Sequence, residues 1–389
     1  MINPNIVCLL VFISCFSIAA LADETLQKQG EVIQETNSNL NDGVNISSDF
    51  YIGKMHTISL KMQRGVIPVI LGDRIIFLGK DYFLYSVSKQ NLDKYYWKLD
   101  FSKYGKLYRA SILYSQNMVI YAVDDNVYGI DADTGEIKWQ KTLRSVIAGA
   151  PIVVHDSLIV VTIDNYLYSF NLSDGSLLWS GQESIPEVKS YYSFSRVSSG
   201  DIVVLSFSNG KIIAFNSTNG LKIWEISVSD STNNNIAFVG GASLSASEQD
   251  VIVIDKFRNI SSIDIQSGKK KWSKDLNIQG ISGIKENYIV AIIDDKLISL
   301  DISTGEFLWQ YDLLQYKKPK IQWNVPVIID NNVLVMGSNG CVILVDSKSG
   351  ALKSVNYILP SSYYVPIFLN SSVYIITSKD KVVIFDKKV

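Results

Sequence analysis

Short apolar runs cut by polar punctuation fill the chain from about residue 58 onward. Val69-Ile-Leu71, Pro151-Ile-Val-Val154, Leu158-Ile-Val-Val161, Pro326-Val-Ile-Ile329 and Val333-Leu-Val-Met336 are representative. Such runs are too short for helices and rich in β-branched residues. They match strands whose two faces are both covered. Polar turns separate them. His155-Asp156, Glu286-Asn287, Asn331-Asn332 and Ser371-Ser372 follow a first strand, and Asp124-Asp125-Asn126, Ser208-Asn209-Gly210, Asp294-Asp295 and Ser338-Asn339-Gly340 follow a second. Asp, Asn and Gly close tight turns because they tolerate left-handed backbone or bond to it locally. The pattern therefore predicts antiparallel strands joined by hairpins.

One frame recurs. It reads Val127-Tyr-Gly-Ile-Asp131-Ala-Asp-Thr-Gly135-Glu-Ile-Lys-Trp139 in its clearest copy. The same positions hold Asn171, Gly175 and Trp179; Asn216, Gly220 and Trp224; Asp264, Gly268 and Trp272; and Asp301, Gly305 and Trp309. A sixth copy has Asp346 and Gly350, with Ser354 in place of Trp. Successive glycines lie 40, 45, 48, 37 and 45 residues apart, the spacing of four short strands per propeller blade. Each position has a physical role. Asp or Asn starts a turn through its side chain, and Gly takes a positive φ at the corner. The residue five before Gly is always apolar. The residue six before it is small in five of six copies (Gly129, Ser169, Ala214, Ser262, Ser299). Trp buries on the order of 150–250 Å² and is expected to wedge between neighbouring sheets. Spread around a ring, these indoles serve core packing rather than a ligand cage.

Openings of the repeat fall at Pro68, Pro151, Pro326 and Pro366, with less regular ones near Ser111, Tyr192, Ala242 and Ile281. The last unit stops at a third strand, Val382 to Asp386, and His56 to Lys61 is an orphan strand before the first opening. Pairing the two would shut a ring and remove an open end. The expected fold is all-β: a single eight-bladed β-propeller of four-stranded antiparallel blades over residues 55–389, closed by the N-terminal strand pairing with the C-terminal blade. Seven blades is the alternative, if the segment around Tyr95-Tyr96-Trp97 is not a full unit.

Composition narrows the function. Among 389 residues, 36 basic and 38 acidic side chains leave a net charge of −2 without a long basic run, which argues against a nucleic-acid surface. Only Cys341 lies in the body of the chain, so no disulfide forms there. His56 and His155 are far apart in sequence, and Asp124-Asp125 and Asp294-Asp295 sit where solvated hairpin turns are expected. Neither pair supports a catalytic or metal set, and no nucleophile motif or phosphate-binding loop is present. No catalytic residue, cofactor or metal is expected. Residues 6–20 form an uncharged apolar run of signal-peptide length, followed by Ala20-Leu21-Ala22 and a cleavage point before Asp23. A second reading takes Ser14-Cys15 as the cleavage and acylation point of a lipoprotein, and an uncleaved anchor is a third. Residues 23–54 are polar and read as a flexible linker.

The Asp/Asn-x-x-x-Gly-x-x-x-Trp frame resembles the repeat of pyrroloquinoline-quinone-type propellers over nearly the whole chain after the signal. That family includes quinoprotein dehydrogenases and the non-enzymatic BamB-type factors of outer-membrane β-barrel assembly. In length, blade number, export signal and lack of appended domains the chain is similar to the BamB type. Adjacent cysteines, which hold the quinone in many of the dehydrogenases, are absent. The resemblance implies a periplasmic scaffold at the inner face of the outer membrane that binds the periplasmic domains of a BamA-type protein, alongside other assembly subunits. It requires no homo-oligomer and no nucleic acid. Membrane association would come through the partner or a lipid on Cys15. It places partner contacts in loops on one face, corresponding to the long joins Gly181 to Ser193 and Ser229 to Gly241. The first holds Ile185, Pro186, Lys189, Tyr191 and Tyr192, and the second has Asp230 as its only acid. The family's arginine has no counterpart in either. The rival functions are a small-ligand- or cation-binding propeller and a degenerate quinoprotein dehydrogenase. Intact-mass analysis of the exported chain is expected to find Asp23 at the mature N-terminus. A diacylated Cys15 would establish the lipoprotein reading instead.

Overall fold

Strands account for almost all regular structure in the described residues; two single-turn 3-10 helices, Ser102–Tyr104 and Leu314–Tyr316, are the exceptions. The structure is a computed structural model that describes residues 52–63, 65–104, 110–184, 195–207, 209–228, 242–255, 257–316, 321–357, 367–369, 372–376 and 381–387. The expected signal peptide, the Cys15 acylation point and nearly all of the polar linker lie outside these residues.

After β1 (Ile52–Ser59) come seven consecutive quartets of strands. They are β2–β5 (Val69–Leu71, Arg74–Leu78, Phe83–Ser88, Tyr95–Asp100) and β6–β9 (Ala110–Ser115, Met118–Val123, Asn126–Asp131, Ile137–Thr142). Next are β10–β13 (Ile152–Val154, Ser157–Val161, Tyr166–Asn171, Leu177–Gln182) and β14–β17 (Arg196–Ser199, Ile202–Ser206, Lys211–Asn216, Lys222–Ser227). Then follow β18–β21 (Ser243–Ala246, Asp250–Ile254, Ile260–Asp264, Lys270–Lys274), β22–β25 (Ile278–Lys285, Tyr288–Ile293, Lys296–Asp301, Phe307–Asp312) and β26–β29 (Val327–Ile329, Asn332–Met336, Cys341–Asp346, Leu352–Tyr357). Each quartet is one antiparallel sheet with its strands in chain order. The remaining strands, β30 (Ile367–Leu369), β31 (Ser372–Ile376) and β32 (Lys381–Lys387), form a further four-stranded sheet with β1 in the order β1-β32-β31-β30. The described residues therefore hold eight such sheets.

Met55 lies opposite Phe385 and Ile58 opposite Val382. The orphan strand thus pairs with the last one, but its limits differ from the His56 to Lys61 expected from sequence. It starts at Ile52, through a bulge between Ile52 and Met55, and stops at Ser59. Its first residues were expected to belong to the linker. Strand addition at a sheet edge uses backbone groups, so polar residues join it without any apolar pattern to announce them. Tyr95–Asp100 is a complete fourth strand rather than a stray segment. The fourth sheet opens at Arg196, four residues later than Tyr192 suggested.

Buried apolar side chains form eight clusters, each between one sheet and the next. Along β11, Leu158 and Val160 face one cluster while Ile159 and Val161 face another. Along β27, Val333 and Val335 face back while Leu334 and Met336 face forward. This period-2 division explains the unbroken apolar runs, since neither face of a middle strand meets water. Ile375 of the last sheet packs against Leu334 and Leu344. Tyr374 and Val382 pack with Ile70, Ile75 and Phe77 of the first sheet. First strands of neighbouring sheets adjoin, as β14 does β18 and β18 does β22.

The repeated Trp locks one sheet to the next. Trp97 donates its indole N–H to the Ala132 carbonyl at 2.8 Å, just past the corner aspartate of the following sheet. The same bond runs from Trp139 to Leu172 (3.0 Å), Trp179 to Ser217 (2.8 Å), Trp224 to Ile265 (2.8 Å), Trp272 to Ile302 (2.8 Å) and Trp309 to Ser347 (3.0 Å). Each indole lies on the corner glycine of that following sheet. A Cβ on Gly135, at φ +74°, would sit 2.6 Å from the Trp97 ring. The corner therefore needs glycine twice, for its backbone and for its space. The small residue six before Gly has its own cause: Gly129, Ser169, Ala214, Ser262 and Ser299 lie directly opposite the Trp of their own sheet. In the seventh sheet Leu344 stands opposite Ser354, so the large and small positions are exchanged.

Replacing Trp139 with Ala should destabilise the fold by about 3–5 kcal/mol, and Gly135→Val should lower the melting temperature as well. In a Trp97→Ala background Gly135→Ala should cost less than in the wild type, because one of its two penalties is gone. Chemical denaturation of the four variants of that cycle measures the coupling; strict additivity would mean the ring and the corner do not meet.

Candidate functional site

Two kinds of connection divide the sheets into two faces. On one face the first hairpin turns meet the corners. The amide after each corner Asp or Asn donates to that turn, as in Ala132 to Asn117 (2.9 Å), Leu172 to Asp156 (2.8 Å), Ser217 to Asp201 (2.8 Å) and Ser347 to Asn331 (2.9 Å). On the opposite face the second hairpin turns meet the joins between sheets. Leu143 donates to Asp125 (2.7 Å), Glu183 to Asn165 (3.0 Å), Val228 to Gly210 (2.9 Å) and Leu313 to Asp295 (2.9 Å). Corners vary little in length, because an indole must land on them. Joins on the other face carry no such constraint, which makes that face the one free to vary for binding.

The partner-contact residues expected from sequence, Ile185, Pro186, Lys189, Tyr191, Tyr192 and Asp230, lie outside the described residues, but the stems of both joins are defined. The Asn165 amide donates to the Ser184 carbonyl at 2.8 Å, and the Asn209 amide reaches the Ser184 hydroxyl at 3.0 Å. Glu183 pairs with Lys222 of the next sheet at 2.9 Å. Beyond the first join, Ser195 accepts from the Leu244 amide at 2.9 Å. Neighbouring turns therefore hold the start of the first join and strand β18 (Ser243–Ala246) holds the residue just past its end, while Lys222 ties the start to the strand that leads into the second.

Polar groups flagged in the sequence are accounted for locally. Asp294 and Asp295 have φ of +44° and +63°, as a two-residue hairpin turn requires. Asp295 accepts from the Trp323 indole at 3.1 Å and Asp294 from Asn277 at 3.1 Å. Asp125 accepts from Asn126 at 2.6 Å. Asp164, buried, pairs with Arg144 at 3.1 Å, and Arg144 lies over the Tyr166 ring. His155 sits in a turn of the third sheet with Nε2 3.1 Å from Asp201, whereas His56 belongs to β1 in the last. Cys341 is a buried thiol that forms no disulfide among the described residues. Among the described residues no group of His, Cys, Asp and Glu side chains is placed to hold a metal ion.

The corner carboxylates are held below the ordinary aspartate range. A backbone amide and the hydroxyl of Thr134 donate to Asp131, the Ser267 hydroxyl and amide to Asp264, and the Ser303 hydroxyl to Asp301. At Asp346 partial burial works upward, but Lys353 at 3.0 Å and the Ser349 amide and hydroxyl outweigh it and bring the pKa to about 2. These bonds shape the corner on which the indole lands; they are not chemistry aimed at a substrate.

Two features escaped the sequence reading. Trp97 is the docking indole of the first sheet, but its corner, Ser88 to Lys94, is one residue longer than the others and lacks glycine. The pairing of Ser86 with Trp97, small opposite large, was the available signal. The contact of Lys89 with the Tyr374 hydroxyl (3.0 Å) joins the first sheet to the last and had no sequence signal at all.

Comparison with known proteins adds the following. The family model for outer membrane protein assembly factor BamB matches residues 86–311 and 242–388. A curated relative, outer membrane protein assembly factor BamB of Bordetella pertussis, is 25% identical over 296 residues, covering 74% of each chain. The crystal structure of BamB from Moraxella catarrhalis superimposes with a TM-score of 0.67 at 15% identity, covering 85% of this chain and 98% of that one. Quinohemoprotein alcohol dehydrogenase ADHIIG from Pseudomonas putida HK5 superimposes with a TM-score of 0.62 at 12% identity, covering 88% and 77%. At these identities the structural likenesses speak for the shared propeller fold alone.

Depressed corner pKa values carry a pH dependence. The folded state holds these carboxylates ionised, so their contribution is complete above the unfolded pKa of about 4 and is lost as pH falls through the folded value, about 2 for Asp346. Asp346→Asn should lower the melting temperature at pH 7 and flatten its decline between pH 4 and pH 2, so that the two curves converge in acid. Parallel curves would show that the Lys353 contact contributes nothing to stability.

Proposed function

Because the chain belongs to the outer membrane protein assembly factor BamB family, we propose that it is a non-enzymatic periplasmic scaffold of outer-membrane β-barrel assembly, and that its eight sheets are the blades of a closed propeller. The observation that carries the scaffold reading is where the recurring chemistry goes. In all six Trp docks the indole N–H is spent on the next sheet. The corner Asp and Asn residues bond within their own turns. What varies between repeats lies on the face of the joins, and variable loops on a rigid framework suit recognition of a protein partner.

The partner is a BamA-type outer-membrane protein, met through its periplasmic domains, and the contacts fall on the joins that hold Ile185, Pro186, Lys189, Tyr191, Tyr192 and Asp230. The protein works at the inner face of the outer membrane after export, held there by its partner or by a lipid on Cys15. A degenerate quinoprotein is the second reading; the quinohemoprotein dehydrogenase shares the propeller fold with this chain, and at 12% identity that likeness reaches no further than the fold.

Purification from crosslinked envelopes should enrich a BamA-type protein, and its absence would refute the scaffold reading. Adding pyrroloquinoline quinone with Ca²⁺ should leave the melting temperature unchanged, since only a ligand of the native state raises it. A concentration-dependent rise would favour the quinoprotein reading.

A further inference from the structure

Five of the second hairpin turns share one geometry. The first residue donates its amide to the carbonyl of the fifth, and the fourth donates to the carbonyl of the first. Gly79 donates to Phe83 (2.8 Å) and Tyr82 to Gly79 (3.0 Å); Asp255 donates to Asn259 (3.0 Å) and Arg258 to Asp255 (3.0 Å). Turns 162–166, 207–211 and 337–341 repeat the pattern. Their third residue is Asp81, Asp164, Asn209 or Asn339, but Phe257 in the fifth sheet. Asp and Asn suit that place because they cap the turn. Asp81, Asn209 and Asn339 each accept the amide two residues on, at 3.4, 3.1 and 3.1 Å. In the fifth sheet Asp255 takes over this role. It accepts the amides of Phe257 at 2.8 Å and Asn259 at 2.9 Å, and the Asn259 side chain at 3.2 Å. The third position is thereby released from capping, and it holds a phenylalanine that is 58% exposed.

A second observation concerns the residue beside it. The fourth position has a positive φ in all five turns, +59° at Asn165, +80° at Gly210 and +83° at Gly340. Glycine and asparagine take that backbone readily, and bulky residues do not. Arg258 takes it at +68° and is exposed; Tyr82, at +62°, is the other large residue so placed, and it is partly buried. The next join clamps the turn, since Ile278 donates its amide to the Arg258 carbonyl at 3.1 Å. Turn chemistry favours Asn-Gly here, as at Asn209-Gly210 and Asn339-Gly340. The exposed ring and the left-handed arginine both run against that preference, side by side, on the face of the joins.

We propose that Phe257 and Arg258 are an anchor pair for the periplasmic domains of the BamA-type partner, the ring entering an apolar slot and the guanidinium meeting a carboxylate at its rim. This rests on the assembly reading given above and adds to it a contact outside the two long joins. The second of those joins leads into the sheet that carries this turn. The chemistry selects a protein surface. Aromatic and arginine side chains concentrate binding energy at protein interfaces. The planar guanidinium also matches a carboxylate with two parallel bonds. A turn clamped by Asp255 and by Ile278 loses little conformational freedom when it docks.

The test is isothermal titration of the full mature chain with the periplasmic domains of the BamA-type protein recovered from crosslinked envelopes. The double variant Phe257→Asn, Arg258→Gly installs the turn residues of the fourth and seventh sheets. It should melt no lower than wild type, because Asn and Gly suit the turn, yet bind at least about tenfold more weakly. Raising salt from about 50 to about 300 mM should weaken wild type more than Arg258→Gly, because an ion pair at a rim is screened. Equal affinity of wild type and double variant, or the same salt dependence, would overturn the proposal and leave the assembly reading standing. Weaker binding together with a lower melting temperature would assign the pair a structural role and overturn it too. Wild type should not sediment with vesicles of phosphatidylethanolamine and phosphatidylglycerol; sedimentation that the double variant loses would assign the pair to lipid instead. If wild type enriches no BamA-type protein from envelopes, the assembly reading itself fails, and the anchor with it.

Discussion

An indole resting on the glycine of the next sheet is the contact on which this architecture depends. Two flat sheets packed face to face could slide along each other, since apolar contact has no preferred register. The Trp N–H has one: it reaches a single carbonyl, just past the corner, at 2.8 to 3.0 Å in all six docks. The glycine beneath the ring sets the approach, and the small residue across the strand pair lets the ring lie flat. Two positions in one sheet, the Trp and the small residue opposite it, are thus tied to two in the next, the glycine and the carbonyl, and the repeat at the level of sequence is the imprint of that tie.

The exceptions to the frame fall where the tie is not needed. In the seventh sheet Ser354 replaces Trp, and the following sheet has no corner for an indole to reach, because its fourth strand, β1, comes from the other end of the chain. Leu344 fills the space instead and packs with Ile375. The first sheet, which β1's sheet meets, has a longer corner without glycine. There Lys89 bonds to Tyr374, and an apolar cluster of Leu60, Met62, Ile70 and Phe77 closes the contact. Among the described residues, the interfaces on either side of the last sheet show packing and one cation, whereas the other six add a directional indole bond.

This division of labour bears on function. One face is occupied by corners and first turns whose geometry the docking fixes. The other carries the joins, which differ in length from sheet to sheet and are free of that constraint. A rigid framework with one variable face is in keeping with membership of the assembly-factor family.

The sequence alone determined the strand content, the repeat and its length, the corners, and the pairing of the two chain ends. All of these rest on local chemistry: turn residues, β-branched runs and the fixed offset from Asp or Asn through Gly to Trp. It also pointed to the joins as the place for a partner, although only their stems lie among the described residues. The tertiary structure decided what no single segment encodes: which indole meets which glycine, why Gly129 and Ser169 must be small, that Trp97 belongs to the series despite its altered corner, and that Lys89 meets Tyr374 across nearly the whole chain. The reason is physical. A turn is settled by residues a few positions apart, whereas a packing partner is settled by distance in space, and the sheets bring together side chains that the sequence holds tens to hundreds of residues apart.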